Sequence, residues 1–529
     1  MEEKKTSRIA LLVLSFGIMA HIVPYFYDRS LWIEEAMLAS SIINRNLSNM
    51  LAFPLDMGQR APAGYLYIVK LLTIIFNPSK LVLRIWSLIS FAACLYLLKN
   101  ICERVLDVRR WCIYTAFVAI IPIYIYYGND LKPYMSDCFF VLLAIYLFAL
   151  YEKRKLDLNR LLLFNSIIIW FSYAAVFFVA AGMLLLLGED CIKLVKKEND
   201  LLRLIRKTWK YLFVLLSFIL NYLLWLSYRH NNSGIPEKRE TLKFPLIPRT
   251  IEALHTMIDM LKEIFYPLRE MSLILPLVMI LLALLRLVMI IKERSLKTTD
   301  KQICLGIFIL LLASCRGYYP VATRFMLFIP ILLLLFNIPL MEAVIDYCME
   351  KEGVLLKAAL ILFAFFTAFQ YGKGVLPSYT AKGVYLPGSE VKPGIRYLKA
   401  NLQEGDMVYI RNFAIPSYLY ETGYGQGDVN LMAQTPKIIG NCILGQETYD
   451  YSRLQSEEQM ILYDAIAEDL ALIEQYPSVY IFSSHENAQI QPDVQLLLEG
   501  LWKSGKVDLI SDANETCLYH YYKTENAVQ

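Results

Sequence analysis

Twelve blocks of apolar residues, most of them roughly 17 to 22 residues long, run through the first 371 positions of this chain. At about 1.5 Å of rise per residue, a helix of that length crosses the ~30 Å hydrocarbon layer of a bilayer. The chain is 57% hydrophobic and only 19% charged, whereas soluble domains carry about 25% charged residues. Because one globular core could not bury this much apolar surface, the sequence predicts an α-helical polytopic membrane protein.

The basic residues between the blocks predict which connections face the cytoplasm. By the positive-inside rule these are the N-terminus and the connections 99–110, 152–155, 193–210 and 292–301. If all twelve blocks crossed the bilayer, the basic connection 99–110 would lie outside the cytoplasm, which conflicts with this rule. The short block 63–76 carries Lys70 and follows Pro62, so we expect it to lie along the outer interface, which leaves about eleven spanning helices. The blocks are 8–27, 63–76, 81–98, 110–127, 133–151, 160–173, 174–188, 210–228, 271–291, 303–319, 323–340 and 355–371.

The tail of the chain differs in composition from the apolar blocks, with Pro and Gly at its start and charged residues throughout. Short β-rich runs alternate in it with helical patterns, which is typical of a small α/β layer. The sequence therefore predicts a membrane domain over residues 1–374, with an outer loop over 28–80, and an extracytoplasmic α/β domain over 375–529. The β-rich runs are 407–410, 479–483 and 517–522, and the helical patterns are 394–402, 457–475 and 493–500.

The net charge and the cysteine spacing give no sign of a nucleic-acid partner or of a cysteine-ligated metal site. The net charge of +4 is small and the basic residues lie between apolar blocks, so no nucleic-acid partner is expected. The ten cysteines form no CxxC pair and no His/Cys cluster with the spacing of a metal site.

Acids and arginines are concentrated in the first outer segment, where Glu34 and Glu35 follow Trp32. Neighbours on a helix lie about 100° apart, so one acid can face a cavity while the other is held from the side. A carboxylate placed there could take a proton from an acceptor hydroxyl or bind a divalent metal beside a phosphate. The alternative is a set of solvated interface charges with arginine partners; its members are Asp28, Arg29, Glu34, Glu35, Asp56 and Arg60.

Two further clusters of polar residues lie at the ends of apolar blocks. Asp130 and Lys132 occupy a short turn flanked by tyrosines that include Tyr134. Charges at membrane depth usually pair or line a cavity, so this turn indicates either a polar pocket or a plain ion pair. Arg316 and Arg324 suit a phosphate or pyrophosphate, or they extend to lipid headgroups.

The order of these pieces resembles the GT-C superfamily of membrane glycosyltransferases, in particular the bacterial branch similar to protein O-mannosyltransferases and to the lipid A aminoarabinose transferase. The resemblance is good over the first 150 residues, and elsewhere it covers only helix number, helix order and an outer C-terminal domain. Glu34 stands where the family usually has Asp, which leaves open whether Glu34 or Glu35 is the base. The stretches that carry the resemblance are WIEEA (32–36), GQRAPAGY (58–65), LRIWS (83–87), YGNDLKPY (127–134) and YYPVATRF (318–325).

The resemblance implies transfer of a hexosyl or pentosyl group, by inversion, from a polyprenyl-phosphate-linked donor to an acceptor hydroxyl outside the bacterial inner membrane. The acceptor would be a glycan, a lipid or a protein, and membrane lipids are the other partners. A divalent metal, Mg²⁺ or Mn²⁺, held by Glu34 and Asp130 is one option, because some relatives use a metal and others do not. The resemblance implies catalytic roles for Glu34, Glu35 and Asp130 and substrate-binding roles for Arg60, Lys132, Tyr134, Arg316 and Arg324.

Two other functions fit a helical bundle with polar groups. A transporter or flippase of a lipid-linked or polar substrate would place its charged residues near the bilayer midplane and often shows repeated halves. No internal repeat is visible in this sequence. A non-catalytic assembly or receptor protein would depend on the C-terminal domain rather than on Glu34, Glu35 and Asp130.

Overall fold

The computed structural model describes residues 2–52, 55, 59–197, 201–227, 243–293, 297–350, 362, 368–369, 372, 390–423, 437–445, 456–484, 492–513 and 516–524. The chain forms two compact units. The first, here called the membrane unit, contains Met1–Tyr27 and Arg60–Tyr385. The second, here called the sheet unit, contains Asp28–Gln59 and Leu386–Gln529, so the first outer segment clusters with the C-terminal part of the chain. The predicted boundary at 374/375 stays a prediction, because residues 373–389 lie outside the described part.

The helices and strands are numbered along the chain. The strands are β1 (Met407–Ile410), β2 (Lys437–Ile439), β3 (Cys442–Leu444), β4 (Ser478–Ser484), β5 (Gly505–Ala513) and β6 (Thr516–Lys523). The helices are α1 (Glu2–Tyr25), α2 (Ile33–Asn44), α3 (Leu47–Ala52), α4 (Ala63–Phe76), α5 (Lys80–Arg104), α6 (Trp111–Ala119), α7 (Pro122–Tyr127), α8 (Tyr134–Glu152), α9 (Leu158–Phe171), α10 (Ala175–Val195), α11 (Leu201–Asn221), α12 (Ile251–Ile264), α13 (Tyr266–Met271), α14 (Leu275–Glu293), α15 (Thr298–Cys315), α16 (Phe328–Glu350), α17 (Lys392–Asn401), α18 (Ile415–Thr422), α19 (Ser456–Ile473) and α20 (Pro492–Ser504).

The predicted polytopic helical fold is confirmed. Within the described residues, eight helices are long and apolar enough to cross a bilayer: α1, α5, α8, α10, α11 with the π-helical turn that follows it, α14, α15 and α16. The apolar helices α4 and α9 have 14 residues each, a length of about 21 Å that is shorter than the hydrocarbon layer. Most of the predicted block 355–371 lies outside the described residues, so the count of about eleven spanning helices stays a prediction.

The block predicted as one helix over 110–127 is broken into α6 and α7. The break lies before Pro122, which has no N–H to donate and whose ring crowds the preceding turn of a continuous helix. The backbone N–H of Ile123 is satisfied instead by the Glu270 carboxylate at 3.0 Å. This break directs the chain into the turn that carries Asp130 and Lys132.

Close approach of helices in the membrane unit depends on glycine. A Cβ atom at Gly182 in α10 would lie 2.4 Å from the ring of Phe148 in α8. One at Gly306 in α15 would lie 2.5 Å from the ring of Phe178 in α10. Small residues at these points let the aromatic rings fill the space between helices, which is the usual source of helix association in a membrane.

The sheet unit is built on a six-stranded sheet with the order β2-β3-β1-β4-β6-β5. Strand β1 pairs in parallel with β3 and β4, and the remaining pairs are antiparallel. The three strands predicted from the sequence, β1, β4 and β6, lie in the interior of the sheet, and nearly every residue in them is buried. The strands β2, β3 and β5 were not predicted.

Helices cover both faces of this sheet. Helices α19 and α20 pack on one face through residues that include Ile473 and Leu498. On the other face, α17 and α18 pack through residues that include Leu398 and Leu419. This three-layer arrangement confirms the predicted small α/β domain.

A histidine lies in the interior of the sheet unit. The ring of His520 in β6 stacks on Tyr480 of β4 with centroids 3.7 Å apart, and its Nε2 lies 2.8 Å from the Ser478 hydroxyl. Burial lowers the pKa of His520 below its ordinary value of 6.5, although nearby Asp406 and Asp508 act in the opposite direction.

We expect this histidine to make the sheet unit less stable in acid. Below about pH 6.5 the unfolded chain binds a proton that the folded chain does not, so stability falls as the pH decreases and is unaffected above that value. Thermal unfolding of the detergent-purified protein between pH 7 and 5 checks this against His520→Gln, which should show a smaller loss. Equal losses in the two proteins would assign the pH dependence to other groups.

Candidate active site

The two adjacent acids of the first outer segment have different environments at the start of α2. Glu35 is fully buried, and its Oε2 accepts hydrogen bonds from Arg29 Nη1 and from the backbone N–H of Trp32, both at 3.0 Å. A glutamate at this position of a helix commonly bonds the N-terminal N–H, and its negative charge also suits the helix dipole. Glu35 therefore stabilises the start of α2.

Glu34 lies on another face of the same helix. Glu34 and Met37 are half-buried, whereas Ile33, Glu35 and Ala36 are buried. The side-chain amide of Gln59 donates to the Met37 sulfur at 3.2 Å. Gln59 thus contacts the half-buried face of α2 that carries Glu34. Gly58 and Asp56 lie outside the described residues.

The predicted turn around Asp130 is buried within the membrane unit. Asp130 and Lys132 are 1% and 5% exposed, respectively. Their backbone carbonyl groups accept from the hydroxyl of Ser87 in α5, at 2.6 and 3.3 Å. The Nε1 of Trp86 donates to Ser136 at 3.2 Å. Two stretches that are distant in sequence, LRIWS and YGNDLKPY, are therefore packed together.

The aromatic and arginine segment joins the same group. The ring of Tyr134 packs edge-on against Phe325 with centroids 5.4 Å apart. Arg324, beside Phe325, is half-buried, and Arg316 is exposed at the end of α15. The hydroxyl of Tyr319 donates to the Phe325 carbonyl at 2.9 Å, which helps to hold the segment in place.

The segment next to Arg60 is held by residues that the sequence interpretation missed. The carbonyl oxygen of Ala61 accepts from the Tyr173 hydroxyl at 2.8 Å and from Trp225 Nε1 at 3.0 Å. Trp225 lies in the π-helical turn Tyr222–Ser227, and such turns are frequent at functional sites. Arg60 itself is exposed.

The predicted site residues fall into two groups, one in each unit. The sheet unit carries Glu34 and Glu35, and the membrane unit carries the others: Arg60, Asp130, Lys132, Tyr134, Arg316 and Arg324. In the described part of the chain, no three or more His, Cys, Asp or Glu side chains group closely enough to hold a metal ion.

No protein-family model and no curated protein matches the chain. Among solved structures, ArnT from Cupriavidus metallidurans in the apo state aligns over 96% of this chain and 97% of its own, with 10% identity and a TM-score of 0.51. ArnT bound to undecaprenyl phosphate aligns over 99% and 98%, with 10% identity and a TM-score of 0.47. The oligosaccharyltransferase AglB from Archaeoglobus fulgidus, in complex with an inhibitory peptide and a dolichol-phosphate, aligns over 98% of this chain and 74% of its own, with 11% identity and a TM-score of 0.50.

The similarity to apo ArnT and to AglB extends over nearly the whole chain. It confirms, for the fold, the GT-C resemblance that was read from the sequence. The chain is an integral membrane protein with the fold of the GT-C glycosyltransferases.

Proposed function

We propose that the protein is a glycosyltransferase that moves a sugar from a polyprenyl-phosphate-linked donor to an acceptor hydroxyl. The observation that carries this proposal is the difference between the environments of Glu34 and Glu35. Glu35 accepts hydrogen bonds from Arg29 and from the backbone N–H of Trp32 at the start of α2. Glu34 lies on the face of that helix that Gln59 contacts. The shared fold supports it, because AglB is an oligosaccharyltransferase whose structure holds a dolichol-phosphate.

In this proposal Glu34 accepts the proton of the acceptor hydroxyl as its oxygen attacks C1 of the sugar. The new C1–O bond forms opposite the bond to the phosphate, which breaks and leaves polyprenyl phosphate, so the configuration at C1 inverts. Cationic groups stabilise the negative charge that develops on the leaving phosphate. Those we assign to this role are Arg60, Lys132, Arg316 and Arg324, with Tyr134 binding the donor.

Two further features complete the proposal. The basic connections favour a site and a C-terminal domain outside the cytoplasm, and the family resemblance supports the inner membrane of a bacterium as the location. A divalent ion held by Glu34 and Asp130 is an optional part of the proposal, because some relatives use a metal and others do not. Mg²⁺ is commonly bound by one or two carboxylates together with substrate phosphate oxygens and water, so two acids suit it without a third protein ligand. Its chemistry would be to neutralise charge on the phosphate.

The first experiment follows donor cleavage. The protein is purified in detergent and incubated with radiolabelled polyprenyl-phosphate sugars and a membrane extract that supplies acceptors. We expect wild type to release polyprenyl phosphate from at least one donor, and parallel reactions with EDTA and with added Mg²⁺ or Mn²⁺ test the metal. Folded protein that cleaves no donor but moves a lipid-linked sugar across proteoliposomes would establish a transporter instead.

A further inference from the structure

The segment that leads into α2 is held by a carboxylate 360 positions later in the chain. Glu390 Oε2 accepts from the backbone N–H of Ser30 at 3.0 Å, and its Oε1 accepts from the Ser30 hydroxyl at 2.7 Å. Ser30 is buried, so these two groups depend on protein partners rather than on water. One side chain of the C-terminal part thus accepts from both hydrogen-bond donors of a residue near Glu34.

Two more contacts flank this one. The Lys392 ammonium lies 2.5 Å from the Asp28 carboxylate and also bonds the Asp28 carbonyl. On the other side, the Ser417 hydroxyl donates to the Leu31 carbonyl at 2.9 Å. The contacts of Asp28 with Lys392 and of Ser30 with Glu390 run in opposite directions along the two segments. The two segments therefore lie antiparallel at these contacts.

The anchored segment connects directly to the candidate base. Arg29 lies between the two anchored residues Asp28 and Ser30, and it bonds Glu35, which holds the start of α2. Helix α2 itself packs on α18, the helix that carries Ser417. Each ordered backbone residue costs about 1–2 kcal/mol of conformational entropy, so a loop without such anchors would sample many positions. Catalytic groups need placement within about 0.5 Å.

We infer that Glu390 is a positioning residue for Glu34, and that the C-terminal part of the chain serves as the platform on which the acid loop is set. Lys392 and Ser417 assist it. The catalytic half of this inference rests on the proposed function of Glu34, whereas the anchor is a property of the fold and can be measured without any sugar donor.

The anchor is tested by three changes at one position. Glu390→Ala removes both acceptors, and Glu390→Asp is too short to reach Ser30. Glu390→Gln keeps the length, since its oxygen can accept from the Ser30 N–H while its amide donates to the hydroxyl. The matched control is Glu499→Ala, because Glu499 is exposed in the same unit and bonds Gln495 within its own helix.

Kinetics distinguish positioning from general damage. We expect kcat to fall about 10- to 100-fold in Glu390→Ala and Glu390→Asp, because a shift of about 1 Å at a catalytic group has effects of this size. The KM for the donor should stay within about twofold, because the groups assigned to the donor lie on other segments. Glu390→Gln and Glu499→Ala should stay near wild type, and the melting temperature should separate unfolding from misplacement.

Hydrogen exchange of the peptide that contains residues 28–36 decides the anchor itself. The Ser30 amide should exchange slowly in wild type, Glu390→Gln and Glu499→Ala, and at least about tenfold faster in Glu390→Ala. Unchanged exchange and unchanged kcat in Glu390→Ala would overturn the inference. A wild type that cleaves no donor would overturn the proposed function while exchange still decides the anchor. If Glu390→Ala does not fold, Ser417→Ala gives the same readouts through Leu31.

Discussion

Glu34→Gln is expected to lower kcat for sugar transfer by about 10²- to 10⁴-fold, the usual contribution of a general base. Glutamine fills the same space and keeps one oxygen, so the hydroxyl can still be oriented but its proton is no longer accepted. The folded yield, the melting temperature and the KM for the donor should change little, because Glu34 is only half-buried and glutamine keeps the length and shape of its side chain. Release of polyprenyl phosphate from the labelled donor measures the effect.

Glu35→Gln is the matched comparison at the next position. It removes the charge that Arg29 bonds in a buried site, and breaking a buried pair on one side costs about 3–5 kcal/mol. We therefore expect a lower melting temperature and faster hydrogen exchange at the start of α2, whereas Glu34→Gln should show neither. The assignment is wrong if Glu35→Gln is stable and inactive while Glu34→Gln transfers sugar at the wild-type rate.

The second large effect is expected in the stability of the sheet unit. Arg411 follows β1, and its Nε and Nη2 form paired hydrogen bonds of 2.8 and 2.9 Å with Asp493 in the first turn of α20. Its remaining Nη1 donates to the Ser484 carbonyl at 3.1 Å. Both side chains are buried, so Asp493→Asn removes the carboxylate charge that faces a buried guanidinium and should cost about 3–5 kcal/mol.

Hydrogen exchange of the β1 and β4 peptides measures this loss, because exchange of central strands reports the global opening of the unit. The matched control is Lys506→Gln, which breaks the exposed pair between Lys506 and Asp508 and should leave exchange of these strands unchanged. An equally small effect of Asp493→Asn would mean that the buried pair does not hold α20 to the sheet. Sugar transfer is a second readout, since loss of the unit should also release the Glu390 anchor.

The sequence by itself determined the class of protein and the local elements. Apolar blocks long enough to cross a bilayer leave no alternative to a membrane fold, because their length and composition are set by the hydrocarbon layer. The strands β1, β4 and β6 were predicted because central strands buried on both faces read as continuous apolar runs. The order of the short motifs pointed to the GT-C fold. The edge strands β2 and β5 and the three-residue strand β3 carry weaker patterns and were missed.

Only the tertiary structure showed which contacts the side chains of the candidate site make. Glu34 and Glu35 are the same residue type at adjacent positions, and the structure separates them by burial, since Glu35 is fully buried and Glu34 is half-buried. The roles of Ser87, Trp225 and Glu390 depend on hydrogen bonds between residues that are far apart in the chain. Periodicity reports burial of a helix or strand face, but a single polar contact across a long loop has no period, so no local pattern could have revealed it.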